Sequence, residues 1–239
     1  MISKSEIKSI TQLQQKKYRD ARNLFIAEGP KVIKELLAEG LQLNTFFSTE
    51  ISEVTEKNHR HISPQELKKI SSLKTPNSSL AVFEKPSLQK FKDSGLVVAL
   101  DAVRDPGNLG TIIRLCDWFG VTQLVCSRDT TDCYNPKVIQ ATMGSIARVS
   151  VQYVLLADVL QNSTLPTFGA FLDGKNVYKN RMPPEGIIVL GNEANGVSEE
   201  ISAIISEKIS IPQFGNTTAE SLNVATATAI LLSEFKRAY

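Results

Sequence analysis

From Leu96 onward, short apolar runs alternate with helix-like segments, and this rhythm limits the chain to few architectures. Apolar runs at 96–101, 122–126, 168–172, 187–191 and 208–211 are bounded by turn residues and predict strands. Between and after them, helical periods predict helices near 109–119, 136–143, 155–161, 198–205 and 221–237. Strands that are apolar throughout are buried on both faces. Alternating them with helices gives a largely parallel sheet with helices on both sides, an α/β fold. Such folds place ligands in the loops that leave the strands. Spacing alone does not give the strand order, and a Rossmann-like order is the default.

The first ninety residues read as a separate, smaller α/β unit. Residues 5–22 are polar and lack Gly and Pro, which predicts a helix. Leu24 to Ala27 predicts a strand. Glu28-Gly29-Pro30 turns the chain into a helix over 31–39, whose apolar residues at 32, 33, 36 and 37 share a face, and Gly40 ends it. Leu43 to Phe47 predicts a second strand. Residues 76–79 read as loop, and 85–95 as a polar linker. The expected domains are therefore 1–92 and 96–239. The chain shows no internal repeat and no low-complexity tract.

Bulk properties exclude more than they identify. Hydrophobic content of 42% and charged content of 22% are ordinary for a globular protein, and a net charge of +2 does not mark a nucleic-acid binder. The distribution of charge is more informative. Lys4, Lys8, Lys16, Lys17, Arg19 and Arg22 face only Glu6 and Asp20 in the first 22 residues. Such a segment meets phosphates, or forms a solvated helix face. Cys116, Cys126 and Cys133 have no metal-ligand spacing, and His59 and His61 lie far from them in sequence. No metal is expected, and reduced thiols fit a cytoplasmic protein. Lys4, Glu6 and Lys8 interrupt any apolar leader, and no run approaches the roughly 20 residues of a membrane helix.

Three runs carry the chemistry. The first is Asp105-Pro-Gly-Asn-Leu-Gly-Thr-Ile-Ile-Arg114. Asn108 has the chemistry of a helix N-cap, and Gly110 and Arg114 lie one helical turn apart. Either Asn108 only caps and Arg114 pairs with Asp117, or both reach a ligand. The glycines suggest a dinucleotide loop, but the full GxGxxG is absent. The second run, Leu190-Gly-Asn-Glu-Ala-Asn-Gly196, follows a strand. Its two glycines flank Glu193 and expose backbone groups suited to an adenine edge. A plain strand-to-helix turn capped by Ser198 is the alternative. The third run is Ile209-Ser-Ile-Pro212, leading to Ser221-Leu-Asn-Val224. Here Thr217 with Glu220, or Ser221 alone, could be caps.

In this order and at these intervals, the runs resemble the SpoU (TrmH-like) branch of the SPOUT RNA 2′-O-methyltransferases. Asn108 and Arg114 match the first family motif, Gly191, Glu193 and Gly196 the second, and Ser221-Leu-Asn-Val224 the third. Two positions depart from the pattern: Ala225 stands where serine is common, and Gln140 lies in a segment that often carries arginine. The N-terminal stretch Gln14 to Arg19, with Arg22, Phe25-Ile-Ala-Glu-Gly29 and Lys31, is similar to the ribosomal-protein-like substrate-binding domain fused to many such enzymes.

The resemblance implies a deep trefoil knot near the C-terminal end that forms the pocket for S-adenosylmethionine. It implies methylation of a ribose 2′-hydroxyl in structured RNA, ribosomal more than transfer RNA, by a homodimer whose site lies at the subunit interface. Arg114 would act at the hydroxyl, as base or as electrostatic stabiliser, and Asn108 would orient it or the ribose. Glu193, Ser221 and Asn223 would shape the site. Leu190, Gly191, Ile211, Pro212 and Leu222 would hold the cofactor. Lys16, Lys17, Arg19, Arg22 and Lys31 would meet RNA. The rival classes are a non-catalytic RNA-binding protein that keeps the fold and a nicotinamide-dependent dehydrogenase.

Overall fold

The computed structural model describes residues 2–50, 58–87, 89–179, 181–215 and 221–237. They form two compact units. The first joins Met1–Ser87 to Asp132–Ala147, and the second joins Leu88–Thr131 to Arg148–Tyr239.

In the first unit, α1 (Lys4–Gln12) begins with a capping box. Ser3 Oγ accepts the Glu6 N–H at 3.2 Å, and the Glu6 carboxylate accepts the Ser3 N–H at 2.9 Å. The helix predicted over 5–22 is broken, and α2 spans Lys16–Arg22. The break has a cause. The carbonyls of Leu13 and Gln14, which a continuous helix would give to residues 17 and 18, accept the Arg19 guanidinium at 2.8 and 2.9 Å. After β1 (Leu24–Glu28) and α3 (Pro30–Ala38) come β2 (Leu43–Ser48), β3 (His59–His61), α4 (Pro64–Ile70) and β4 (Ser79–Glu84). The last three were not anticipated from the sequence; β4 was passed over between two loop-like stretches. The sheet order is β1-β4-β2-β3, with only β2 and β3 parallel. Ile10, Leu13, Ile26, Phe47, Leu67, Ile70, Leu80 and Val82 form one core cluster. On β1 also packs α6 (Pro136–Thr142), a segment far away in sequence. Tyr134 lies 4.9 Å from the Phe25 ring, which stacks on Phe83 at 5.7 Å. Gly144, at φ +100°, touches Glu35, and a Cβ there would sit 2.5 Å from the Glu35 Cβ.

The second unit is a six-stranded, all-parallel sheet in the order β10-β8-β9-β5-β6-β7. Its strands are β5 (Leu96–Leu100), β6 (Gln123–Ser127), β7 (Ser150–Val154), β8 (Thr167–Asn176), β9 (Gly186–Leu190) and β10 (Glu207–Ser210). The sequence reading missed β7, which alternates rather than running apolar throughout. Central strands β5 and β9 are buried at every residue. Val97, Ala99, Val125, Ile187 and Val189 pack with α7 (Leu156–Asn162) and with Val197 and Ile201. Elsewhere, α5 (Pro106–Trp118) packs with α9 (Val224–Lys236), and Phe168 meets Phe235 edge-on at 5.3 Å. The short α8 spans only Glu199–Ser202. Chain order runs outward through β5, β6 and β7 and then crosses to the other half of the sheet. Loops from β5 and β9, adjacent central strands, therefore emerge side by side.

Candidate active site

Leaving β5, the chain passes Asp101 and Ala102 and enters α5. Ala102 has φ +57°, a left-handed conformation that is uncommon without glycine. The N-cap of α5 is Asp105, not Asn108: Asp105 Oδ1 accepts the Asn108 N–H at 2.8 Å. This corrects the capping role expected for Asn108 and frees its side chain. The Asn108 Nδ2 donates to Glu193 Oε1 at 2.7 Å, and its Oδ1 accepts from Asn223 Nδ2 at 2.9 Å. Asn223, rather than Ser221, caps the last helix. Its Oδ1 accepts the N–H groups of Ala225 at 2.9 Å and Thr226 at 3.2 Å.

The direction of this chain is fixed at both ends. The helix N–H groups require the Asn223 oxygen, so its Nδ2 must point to Asn108. At the other end, an ionised Glu193 only accepts. The Asn108 amide has one orientation that serves both. Three residues from three separated sequence runs thus form one polar relay: Glu193, Asn108, Asn223.

The loop holding Glu193 is braced by residues the sequence reading did not single out. Asn192 exchanges backbone hydrogen bonds with Gly196 at 2.9 and 2.8 Å. Its side chain donates to the Ala102 carbonyl at 2.8 Å and accepts from the Ala194 N–H at 2.9 Å. Asp101 accepts the Ser198 N–H at 2.8 Å. Asn192 and Asp101 thus fasten the loop after β9 to the loop after β5. Their positions, in a strand-end loop and beside a matched glutamate, were the available signals. Ser198 does precede α8, but no hydrogen bond from its side chain caps that helix.

The remaining expected residues divide. Arg114 is exposed and, among the described residues, has no hydrogen-bond or ion-pair partner; Asp117 pairs with Arg148 at 2.8 Å. Arg114 shares its face of α5 with Thr111 and Trp118, which is 83% exposed, whereas Gly110 is buried. Ser221 is exposed, Leu222 is 50% exposed, and Ile211 and Pro212 are half-buried. Leu190 ends β9, where its side chain is 1% exposed and its carbonyl accepts the Asp101 N–H at 2.9 Å. Gly191 is required by the chain itself. A Cβ there would lie 2.0 Å from the Gly196 carbonyl carbon and 2.1 Å from the Val197 nitrogen. Nearby Cys116 is buried, and burial followed by the Asp117 charge pushes its thiol up to about 12, so it is no nucleophile.

In the first unit, Arg19 is also a correction. It is 2% exposed and pairs with Asp132 at 2.5 Å, so it holds structure rather than facing RNA. Lys16 pairs with Asp20, Lys17 lies 4.7 Å from the Tyr18 ring centre, Arg22 bonds Ser9 at 2.9 Å, and Lys31 is exposed. Glu28 is 4% exposed and accepts from Ser71 and from the N–H of Ser72 at 2.8 Å, which closes a loop. Gln140 is half-buried on α6, and Ala225 is buried in the first turn of α9. Thr217 and Glu220 lie outside the described residues. Among the described residues, no group of three or more His, Cys, Asp or Glu side chains could hold a metal ion.

The SpoU rRNA Methylase family matches residues 95–233, which contain the whole relay. The chain belongs to this family. Residues 4–81 match the MRM3-like substrate binding domain. The chain is similar to the 23S rRNA (guanosine(2553)-2′-O)-methyltransferase RlmP of Bacillus subtilis, with 30% identity over 95% of this chain and 94% of that protein. It is also similar to a solved structure from Porphyromonas gingivalis assigned to the TrmH family of RNA methyltransferases. That likeness has a TM-score of 0.90 and 36% identity over the full length of both chains. An AdoMet-bound rRNA methyltransferase from Sinorhizobium meliloti aligns with a TM-score of 0.88 and 28% identity over 100% of this chain and 97% of that one.

Proposed function

We propose that this protein transfers a methyl group from S-adenosylmethionine to a ribose 2′-hydroxyl of structured RNA, ribosomal rather than transfer RNA. The observation that carries the reading is the relay from Glu193 through Asn108 to Asn223, built from all three runs. The RNA class rests on the relatives, which are named for rRNA.

The residues present fit the cofactor. Exposed Leu222 and half-buried Ile211 and Pro212 offer apolar surface, and the Glu193 carboxylate supplies negative charge for a cation. When bound, S-adenosylmethionine supplies an electrophilic methyl group on a cationic sulfonium. Leu222, Ile211, Pro212 and the backbone at Gly191 hold it. Asn108, locked in one orientation, positions the ribose, with Glu193, Ser221 and Asn223 around it. Arginine is not deprotonated in proteins, so Arg114 acts as a fixed cation. It holds the RNA phosphate and stabilises the oxyanion that develops at O2′ as the hydroxyl proton passes to solvent water.

Residues 1–92 bind the RNA, and residues 96–239, of which 132–147 pack with the first unit, methylate it. Lys16, Lys17, Arg22 and Lys31 are exposed for phosphates. Two copies make the active form: among the described residues Arg114 has no hydrogen-bond or ion-pair partner, and Trp118, Leu222 and Phe214 (87% exposed) are apolar groups left on the surface of the second unit. The expected knot encloses the loops around Gly191 and Ile211. Three free, buried cysteines support a cytoplasmic location.

The test is mapping of 2′-O-methyl positions in total RNA after incubation with the protein and S-adenosylmethionine. New ribose methylation in rRNA supports the proposal. Methylation confined to tRNA overturns its RNA class, and methylation of bases overturns its chemistry.

A further inference from the structure

The first unit holds a cavity of about 350 Å³ that the methyl-transfer site does not use. Ile10, Leu13, Phe47 and Val82 give it an apolar floor, and Asn44, Asn58 and Arg60 stand at its rim. The Arg60 guanidinium lies 5.6 Å from the Phe47 ring centre and pairs with Glu6, which the α1 capping box holds in place. This plane is therefore preset. The volume falls at the lower end of the range for small-molecule pockets, about 300–1,000 Å³, too small for a duplex and enough for one nucleoside.

We infer that this cavity receives one unpaired nucleobase of the RNA; the inference rests on the RNA-binding reading of this unit. A base is flat and apolar on its faces and polar on its edges. Guanidinium planes and aromatic rings stack on such faces, and amide side chains meet such edges. The Asn44 Nδ2 and the Asn58 amide make no side-chain hydrogen bond among the described residues. Glu6 and Arg60, the two charged groups of the lining, are paired with each other, so the lining carries no net charge and suits a neutral base. The phosphate has a place outside. Ser9 lines the cavity, and Arg22 donates to its Oγ and carbonyl at 2.9 Å. Arg22 in turn lies 5.5 Å from the Tyr18 ring centre, with Lys17 at 4.7 Å. A base pocket beside a cationic and aromatic platform is the arrangement that reads a single strand or loop rather than a helix.

The test uses the full chain with two probes, a single-stranded oligoribonucleotide of about ten residues and a fully paired duplex of the same sequence. Asn44→Ala/Asn58→Ala changes two exposed side chains. It is expected to weaken single-strand binding about tenfold and to leave duplex binding unchanged, because the loss of two hydrogen bonds to a base edge is together of about that order. With the unaltered chain, a single strand carrying 4-thiouridine should cross-link within 44–47 or 58–60. Equal loss for both probes, unchanged single-strand affinity, or cross-links only elsewhere would overturn the inference. The enzymatic reading fails on a separate measurement: absence of methyl transfer by the unaltered protein.

Discussion

Arg19→Met should destabilise the first unit by about 4 kcal/mol without changing RNA affinity. The guanidinium makes four hydrogen bonds: to the carbonyls of Leu13 and Gln14 at 2.8 and 2.9 Å, and to Asp132 Oδ2 at 3.0 and 2.5 Å. Arg19 is 2% exposed and Asp132 10%. Removing the cation leaves a nearly buried carboxylate and two carbonyls without their partner. Breaking a buried pair from one side costs roughly 3–5 kcal/mol. Lys16 and Asp20, at 64% and 45% exposure, set the contrast, since a surface pair is worth about 0–1 kcal/mol. Hydrogen exchange in β1 and α6 reads the local stability, and fluorescence anisotropy reads RNA affinity at a temperature where the variant stays folded. Arg19→Met/Asp132→Leu should recover only part of the loss, because it removes the stranded carboxylate but leaves the Leu13 and Gln14 carbonyls without that donor. Unchanged exchange with weakened RNA binding would refute the reasoning and return Arg19 to the RNA face.

Asn108→Asp should lower kcat about 100-fold with near-normal melting, because it sets a carboxylate against Glu193 and misaligns the site; steady-state kinetics and thermal unfolding check this. Gly191→Val should weaken S-adenosylhomocysteine binding and destabilise the second unit by about 1–3 kcal/mol, since its side chain meets the Gly196 and Val197 backbone; calorimetric titration reads the first effect and urea unfolding the second. The glutamates of the capping boxes that open α1 and α4, Glu6 with Ser3 and Glu66 with Ser63, are held low, at about 2. For Glu6 the backbone N–H of Ser3 is the largest cause, followed by the Ser3 hydroxyl and Arg60; for Glu66 it is the Ser63 N–H, then that of Ile2. An unfolded glutamate titrates near about 4.3, so their stabilisation is complete above that pH and is lost as pH falls toward 2. Melting of the first unit should follow this course, and Glu66→Gln should flatten it.

The parallel sheet was legible because its central strands are apolar throughout and turn residues bound them. The edge strand β7 was not, since Ser150 and Gln152 break the apolar run. In the first unit, α1 and α2 read as one helix because the break is tertiary: it depends on a guanidinium reaching back to Leu13 and Gln14. For the same reason Arg19 looked like its exposed neighbours. No local signal could show that its partner, Asp132, lies 113 residues away. The membership of 132–147 in the first unit was hidden likewise, because it depends on Tyr134 meeting Phe25 and Gly144 meeting Glu35. In the site, motif matching found Asn108, Glu193 and Asn223 but not how they connect. Local capping rules offered Asn108 and Ser221 as caps, but Asp105 and Asn223 take the helix N–H groups. Asn192 and Asp101 act between loops, and their role appears only when β5 and β9 are adjacent.

The most direct test of the account is transfer of labelled methyl from S-adenosylmethionine to rRNA by the unaltered protein and by Arg114→Ala, read as 2′-O-methylnucleosides after digestion. The account predicts transfer by the unaltered protein and loss of about 100-fold or more in the variant, with S-adenosylhomocysteine still raising the melting temperature of both through binding linkage. Near-normal transfer by Arg114→Ala would remove that residue from the chemistry. Stabilisation by NAD but not by S-adenosylhomocysteine, with no ribose methylation, would contradict the methyltransferase account itself.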